Sequence, residues 1–179
     1  MASLAEAAQP APQRAAALAI PGMTSHFTLK TVEGRDVTEA SFPGKWLVIY
    51  FGYTRCPDAC PTALNAIGAA LAELGPLAAQ VQPLFITLDP ERDTSQIIGD
   101  YVRAFDRRIL GLSGTDAQTA AAAKAYHVYY AARKLGHDEY AIDHSSFIYV
   151  VDPAGRVVEL LTGNLRAHLM AAALRNLVK

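Results

Sequence analysis

The sequence predicts a single α/β domain built on a mixed sheet, and three observations carry that expectation. Residues 46–51 and 84–88 are apolar runs, each followed by helical periodicity, an alternation that joins parallel strands through helical crossovers. Residues 147–151 and 157–161 are strand-like runs around Asp152-Pro153-Ala154-Gly155, whose proline and glycine suit a tight turn, so they predict an antiparallel hairpin. The chain has 179 residues, 51% of them hydrophobic, which is enough for one sizeable core.

Taken in order, residues 1–22 are rich in Ala, Pro and Gln and show no sustained period, so they read as a flexible tether ahead of a domain at 23–179. Phe27-Thr28-Leu29, then Glu33-Gly34-Arg35 and Val37, predict a small added hairpin. Trp46-Leu47-Val48-Ile49-Tyr50-Phe51 is apolar on both faces, as a central strand covered by helices must be. Leu64, Ile67, Leu71 and Leu74 recur at helical spacing, and the pattern stops at Gly75-Pro76. Residues 84–88 form the next buried strand, and Ile97, Ile98, Tyr101, Val102 and Phe105 mark a second helix with Asp93 or Thr94 as its cap.

Residues 109–112 and 128–130 read as short strands, and alanine-rich 115–126 as a helix capped by Thr115 or Asp116. Residues 136–142 read as a polar loop, and 165–177 as a closing amphipathic helix. A βαβ core followed by an antiparallel hairpin and a last helix is the order of a thioredoxin-like fold. In that topology the hairpin strand beginning near Ser146 runs opposite to 46–51, so it starts at the sheet end where ligands gather.

The chain's two cysteines lie at that same end, in Tyr53-Thr54-Arg55-Cys56-Pro57-Asp58-Ala59-Cys60-Pro61, between a strand and a helix. The unpaired amides and positive dipole end of a helix favour thiolate over thiol, which suits soft-metal or redox chemistry. Pro61 suits the first helical position with Cys60 as cap, and Pro57 the second position of a turn, so a turn is expected between the thiols. At helical spacing their β-carbons would lie about 5–6 Å apart, wider than the ~3.8 Å of a relaxed disulfide. The pair suits a metal ion as it stands, and a disulfide only after local adjustment. Arg55 adds positive charge beside it and Asp58 offsets that charge.

Two thiolates leave most metals incompletely bound, which turns attention to the five histidines. His144, in Asp143-His144-Ser145-Ser146, opens the hairpin strand and faces the cysteine loop in this topology, so it is the candidate third ligand. Two sulfurs suit Cu(I), and an added imidazole makes Cu(II) acceptable too. Asp143 is a candidate to orient the ring. His26 near the N-terminal end, His127 at a helix end, His137 in a polar loop and His168 on the last helix read as ordinary residues, as do Met23 and Met170, which lack partners at useful spacing. Asp89-Pro90-Glu91-Arg92-Asp93-Thr94 also falls at the ligand end, and Tyr53, Trp46 and Phe51 read as core or strand-end aromatics.

A formal net charge of -1 provides no basic field for nucleic acid or an anionic membrane surface. Two close cysteines exclude a multi-disulfide framework, and no run of eighteen apolar residues marks a membrane span. The N-terminus has no basic segment ahead of an apolar stretch, so any signal or anchor is expected to have been removed.

With these motifs in place, the chain resembles the Sco/SenC family of thioredoxin-like copper chaperones of cytochrome c oxidase assembly. The likeness rests on Phe51-Gly52-Tyr53-Thr54-Arg55-Cys56-Pro57-Asp58-Ala59-Cys60-Pro61-Thr62, on Asp89 to Thr94 as written above, and on Asp143-His144-Ser145-Ser146 ahead of Val151-Asp152-Pro153-Ala154-Gly155. It spans roughly residues 27–177. The resemblance implies that Cys56, Cys60 and His144 bind one copper ion and that the protein helps load the copper-A centre of oxidase subunit II. It also implies an upstream copper donor, a thioredoxin-like reductant, and an N-terminal anchor facing the periplasm or the mitochondrial intermembrane space. In the alternative the family suggests, Cys56 and Cys60 act as a thiol-disulfide oxidoreductase that reduces the copper-A cysteines. Thr54 ahead of Cys56 raises a peroxidase reading, which the three-residue spacing and paired prolines fit poorly.

Overall fold

The computed structural model describes residues 20–136 and 139–178. Most of the segment read as a tether, residues 1–19, lies outside them, as does His137. Ile20 donates its N–H to the Val157 carbonyl at 2.8 Å.

The domain opens with β1 (Leu29–Lys30) and β2 (Asp36–Val37), a small antiparallel pair as expected. The main sheet is built from β3 (Trp46–Gly52), β4 (Val81–Thr87), β5 (Leu110–Leu112), β8 (Phe147–Val151) and β9 (Val157–Thr162), in the order β5-β4-β3-β8-β9. β3, β4 and β5 are parallel, with Ile49 opposite Leu84 and Phe85 opposite Gly111. β8 runs antiparallel to β3, with Ile49 opposite Tyr149, and β9 antiparallel to β8. The helices are α1 (Ala59–Leu74), α2 (Ser95–Arg103), α3 (Asp116–Ala125) and α4 (Ala167–Val178). The thioredoxin-like layering anticipated from the sequence is the observed one.

Six of the seven residues of β3 are buried, because the strand is central and covered on both faces. Alternate side chains face opposite layers: Phe51 packs against Tyr126 and Tyr149, with ring centroids 5.3 and 5.8 Å away, while Gly52 faces Cys60 of α1. Leu64, Ile67, Leu71 and Leu74 form the buried stripe of α1, and Gly75 ends the helix at φ 58°. With the 3-10 turn that follows, α1 makes a continuous helical stretch, Ala59–Gln80, long and apolar enough to cross a membrane by length and composition. That stripe is spent on the sheet and α4, so the apolarity is that of a core helix.

The structure departs from the sequence reading around residues 128–146. The expected strand at 128–130 starts two residues later and runs longer as β6 (Tyr130–Lys134), and part of the expected loop is strand β7 (Tyr140–His144). The two pair as a separate antiparallel ribbon with Tyr130 opposite His144 and Lys134 opposite Tyr140. In β7, buried Ile142 alternates with exposed Asp143, a period of two too short to stand out beside Gly136 and charged neighbours. His144 therefore closes the ribbon and does not open the hairpin strand, which starts at Phe147.

The entry to α1 differs as well. The helix begins at Ala59 with Asp58 as its cap residue, so Cys60 and Pro61 lie inside the first turn. A proline is tolerated anywhere in that turn, because none of its N–H groups has an intrahelical partner. Pro61 thus marks the turn and not its first residue.

Candidate metal centre

Two strand ends and one helix end converge on a small site. Cys56 follows β3 in a turn closed by its own N–H to the Tyr53 carbonyl, 3.2 Å away. Cys60 projects from the first turn of α1 against β3, into space that exists because residue 52 is glycine: a β-carbon there would lie 2.6 Å from the Cys60 sulfur. His144 reaches in from the end of β7, its Nε2 3.6 Å from Cys60 Sγ. The three donor atoms all lie within 4.8 Å of one another, and both cysteines are free thiols.

Metal–donor bonds of about 2.0–2.3 Å place the ligands of a trigonal site about 3.5–4 Å apart, so this set closes on one ion with shifts of about an ångström or less. The His144 tautomer is settled locally. Its Nδ1 lies 3.0 Å from the Ser145 carbonyl, which only accepts, so Nδ1 carries the proton and Nε2 is the nitrogen offered to a metal. Asp143, expected to orient the ring, is turned outward and paired with Arg133 on the ribbon surface, 3.0 Å away.

The thiols are not equivalent. A hydrogen bond from the Cys60 thiol, then that from His144 and the backbone amides of Cys60 and Asp58, hold the Cys56 pKa well below the ordinary thiol range, against the effect of burial. The Cys60 N–H lies 3.4 Å from Cys56 Sγ, so the open end of α1 acts as the sequence suggested. The pKa of Cys60 is pushed up by its bond to Cys56 and by burial, so it stays a thiol. Burial works against the His144 imidazolium, but the Cys56 thiolate, the Ser145 carbonyl and Asp143 outweigh it and raise the His144 pKa. In the metal-free site, Cys56 is the thiolate of the pair.

Aromatic rings wall the imidazole. Tyr53 and Tyr50 stand edge-on to it, with centroids 6.0 and 6.2 Å away. The Tyr50 hydroxyl is 3.0 Å from Ser146 Oγ, and burial, then the neighbouring Cys60, push its pKa up so that it stays neutral. Sequence reasoning passed over Tyr50 and took Tyr53 for simple core. The available signal was their place at the end of the strand that feeds the cysteines.

The Asp89 to Thr94 stretch buttresses the site. Of the two cap candidates, Thr94 caps α2 by accepting the Ile97 N–H. Asp93, fully buried, instead accepts from the Thr54 N–H, the Thr54 hydroxyl and the Thr87 hydroxyl, at 2.9, 2.5 and 2.7 Å, and so ties the cysteine loop to β4. His26 pairs with Glu39 at 2.6 Å, and His127 and His168 are exposed, none of them part of the cluster. Met170 is buried in the core and Met23 packs against it.

Comparison with known proteins places this geometry. The SCO1/SenC family model matches residues 17–179. The mitochondrial SCO2 homolog of Bos taurus is 40% identical over 157 residues, covering 81% of this chain and 59% of its own length. The copper-bound crystal structure of Arabidopsis thaliana ScoI matches with a TM-score of 0.81 at 32% identity, over 87% of this chain and 98% of that one. The copper-bound Bradyrhizobium japonicum ScoI matches with a TM-score of 0.79 at 37% identity, over 86% and 98%. The chain spans less than two thirds of the length of the curated relatives it matches. On the extent of the family match and the level of identity, this chain belongs to the SCO1/SenC family.

Proposed function

We propose that this protein binds one copper ion through Cys56, Cys60 and His144 and passes it on during assembly of the copper-A centre of cytochrome c oxidase. The observation that carries the reading is the convergence of two sulfurs and one imidazole nitrogen within 4.8 Å. Soft thiolates suit Cu(I), and the imidazole extends the set to Cu(II), so either oxidation state is accommodated. The copper-bound relatives from Arabidopsis and Bradyrhizobium support the choice of metal.

Delivery is ligand exchange. Thiolates of the copper-A domain of subunit II attack the ion as His144, on a ribbon outside the main sheet, is the first ligand to withdraw. Cys60, bearing a proton in the metal-free site, releases it on loading and recovers it on transfer, so binding is coupled to pH. An upstream donor supplies the copper and a thioredoxin-like reductant keeps the thiols reduced. We assign the work to the periplasmic side of a membrane, with the intermembrane space as the alternative that the mitochondrial relative supports.

The test is copper titration of the reduced protein against Cys56→Ser, Cys60→Ser and His144→Ala. The reading expects one ion per chain, a sulfur-to-copper charge-transfer band with Cu(II), and loss of that band in His144→Ala. Undiminished binding after loss of His144 would remove it from the site.

The inequality of the two thiols favours a second activity, reduction of the oxidised copper-A cysteines. Cys56 thiolate attacks one sulfur of the partner disulfide, forming a mixed disulfide and expelling the partner's other sulfur as thiolate. Cys60 then gives up its proton and attacks Cys56, which closes the Cys56–Cys60 disulfide and frees the second partner thiol. Two electrons pass to the partner. This activity is expected to survive His144→Ala, and failure of the reduced protein to reduce an oxidised copper-A domain would exclude it.

A further inference from the structure

The imidazole limb of the site is carried by a two-stranded ribbon that, among the described residues, no ladder joins to the main sheet. Such a ribbon is marginal by itself, so the place of His144 depends on what ties the ribbon down. Ile142 is buried at its middle, and a polar tie gathers at Tyr140, the opposite end of β7 from His144.

Arg92, between β4 and α2, lays its guanidinium on the Tyr140 ring at 3.5 Å from the centroid and donates from Nη1 to the Tyr140 carbonyl at 2.9 Å. The Tyr140 hydroxyl donates to Asp89 at 2.7 Å, and Arg92 Nε donates to the same carboxylate at 2.5 Å. Each of the three groups touches the other two. Asp89 is 3% exposed, and Arg92 Nη2 is buried without a hydrogen-bond partner among the described residues. An arginine that merely solvates a surface keeps such a group in water, so this one is held by what it grips. Stacking, carbonyl donation and carboxylate pairing at once require a planar guanidinium; lysine offers no such combination.

We propose that Arg92, braced by Asp89, is a positioning residue: through Tyr140 it clamps the ribbon and so holds His144 over the thiols. Tyr140 and His144 share a face of β7, about 14 Å apart at a strand's rise, so the clamp acts along a short stiff lever. The hydrogen bonds and stacking of Arg92 go to Asp89 and Tyr140, so its influence on the site passes through the ribbon. Only the copper arm of the test below rests on the function proposed above.

The metal-free arm is proton cross-relaxation from the His144 ring to Tyr50 and Tyr53. Arg92→Gln and Tyr140→Ala are expected to abolish it while the amide shifts of β3 and β4 stay in place, and Tyr140→Phe, which keeps the ring and carbonyl, is expected to retain it. If Arg92→Gln does not fold, Tyr140→Ala decides, since Tyr140 lies on the ribbon. Persistence of the contacts in the folded clamp variants overturns the proposal, whether or not copper binds. In the copper arm, Arg92→Gln should weaken Cu(II) binding about tenfold or more and add nothing to His144→Ala. Equal weakening in both backgrounds also overturns the clamp. Wild-type protein that takes up no copper overturns the copper reading alone, because cross-relaxation still judges the clamp.

Discussion

Cys56 and Cys60 are the same side chain four residues apart, yet one is poised as a thiolate and the other as a thiol. The difference is position: Cys56 sits at the mouth of α1, where the Cys60 amide and thiol and the His144 ring point at it, and Cys60 is sealed between α1 and Gly52. The lowered Cys56 pKa fixes the sign of a titration. Ultraviolet thiolate absorbance should persist as pH falls through neutrality and disappear only in acid, as pH passes below the folded value. His144→Ala should move that midpoint upward, and Cys56→Ser should abolish the acid-stable band. A band lost in the ordinary thiol range would contradict this assignment. The ligand types were legible in the sequence, since two isolated cysteines at a strand-to-helix joint have few other uses. Their inequality was not, because it depends on which sulfur faces the amides.

The elements that deliver these residues differ in how they are held. β3 and β4 are central strands with ladder partners on both sides, whereas β6 and β7, among the described residues, pair only with each other. Amide hydrogen exchange should therefore run fastest in the ribbon and slowest in β3 and β4, with Tyr140 protected through the clamp. Exchange at 130–134 as slow as in β3 would show the ribbon to be part of the cooperative core. The same contrast explains what sequence reading recovered. Long apolar runs such as 46–52 and the stripe on α1 announce themselves by period, because burial on a large surface demands many apolar residues. The ribbon rests on Ile142, the buried residue of β7, and on stacking and hydrogen bonds from Tyr140 to the distant Arg92 and Asp89, which leave no periodic trace. Asp93 shows the same limit: it has the composition of a helix cap and is used to anchor Thr54 across the fold.

Across the whole molecule, metal binding and folding are expected to be linked, because the three candidate ligands come together only in the folded chain. An ion that binds the native state alone stabilises it by about 2.7 kcal/mol when free metal is a hundredfold above Kd. Copper should accordingly raise the midpoint of thermal unfolding of the reduced protein, a chelator should reverse the gain, and Cys56→Ser should lose it. An unchanged midpoint at saturating copper would argue against a site formed by folding.

The sequence by itself determined the fold class, the order of the main-sheet strands along the chain, the helix that follows the cysteines and the thiol pair at the joint before it. These follow from period, turn chemistry and side-chain type, all of which are local. Tertiary structure alone decided that His144 arrives on a separate ribbon with Nε2 turned inward, that Cys56 carries the charge, and that Arg92 and Asp93 support the site from a neighbouring loop. Each of those depends on distances between residues far apart in the chain, and such distances exist only once the core has packed.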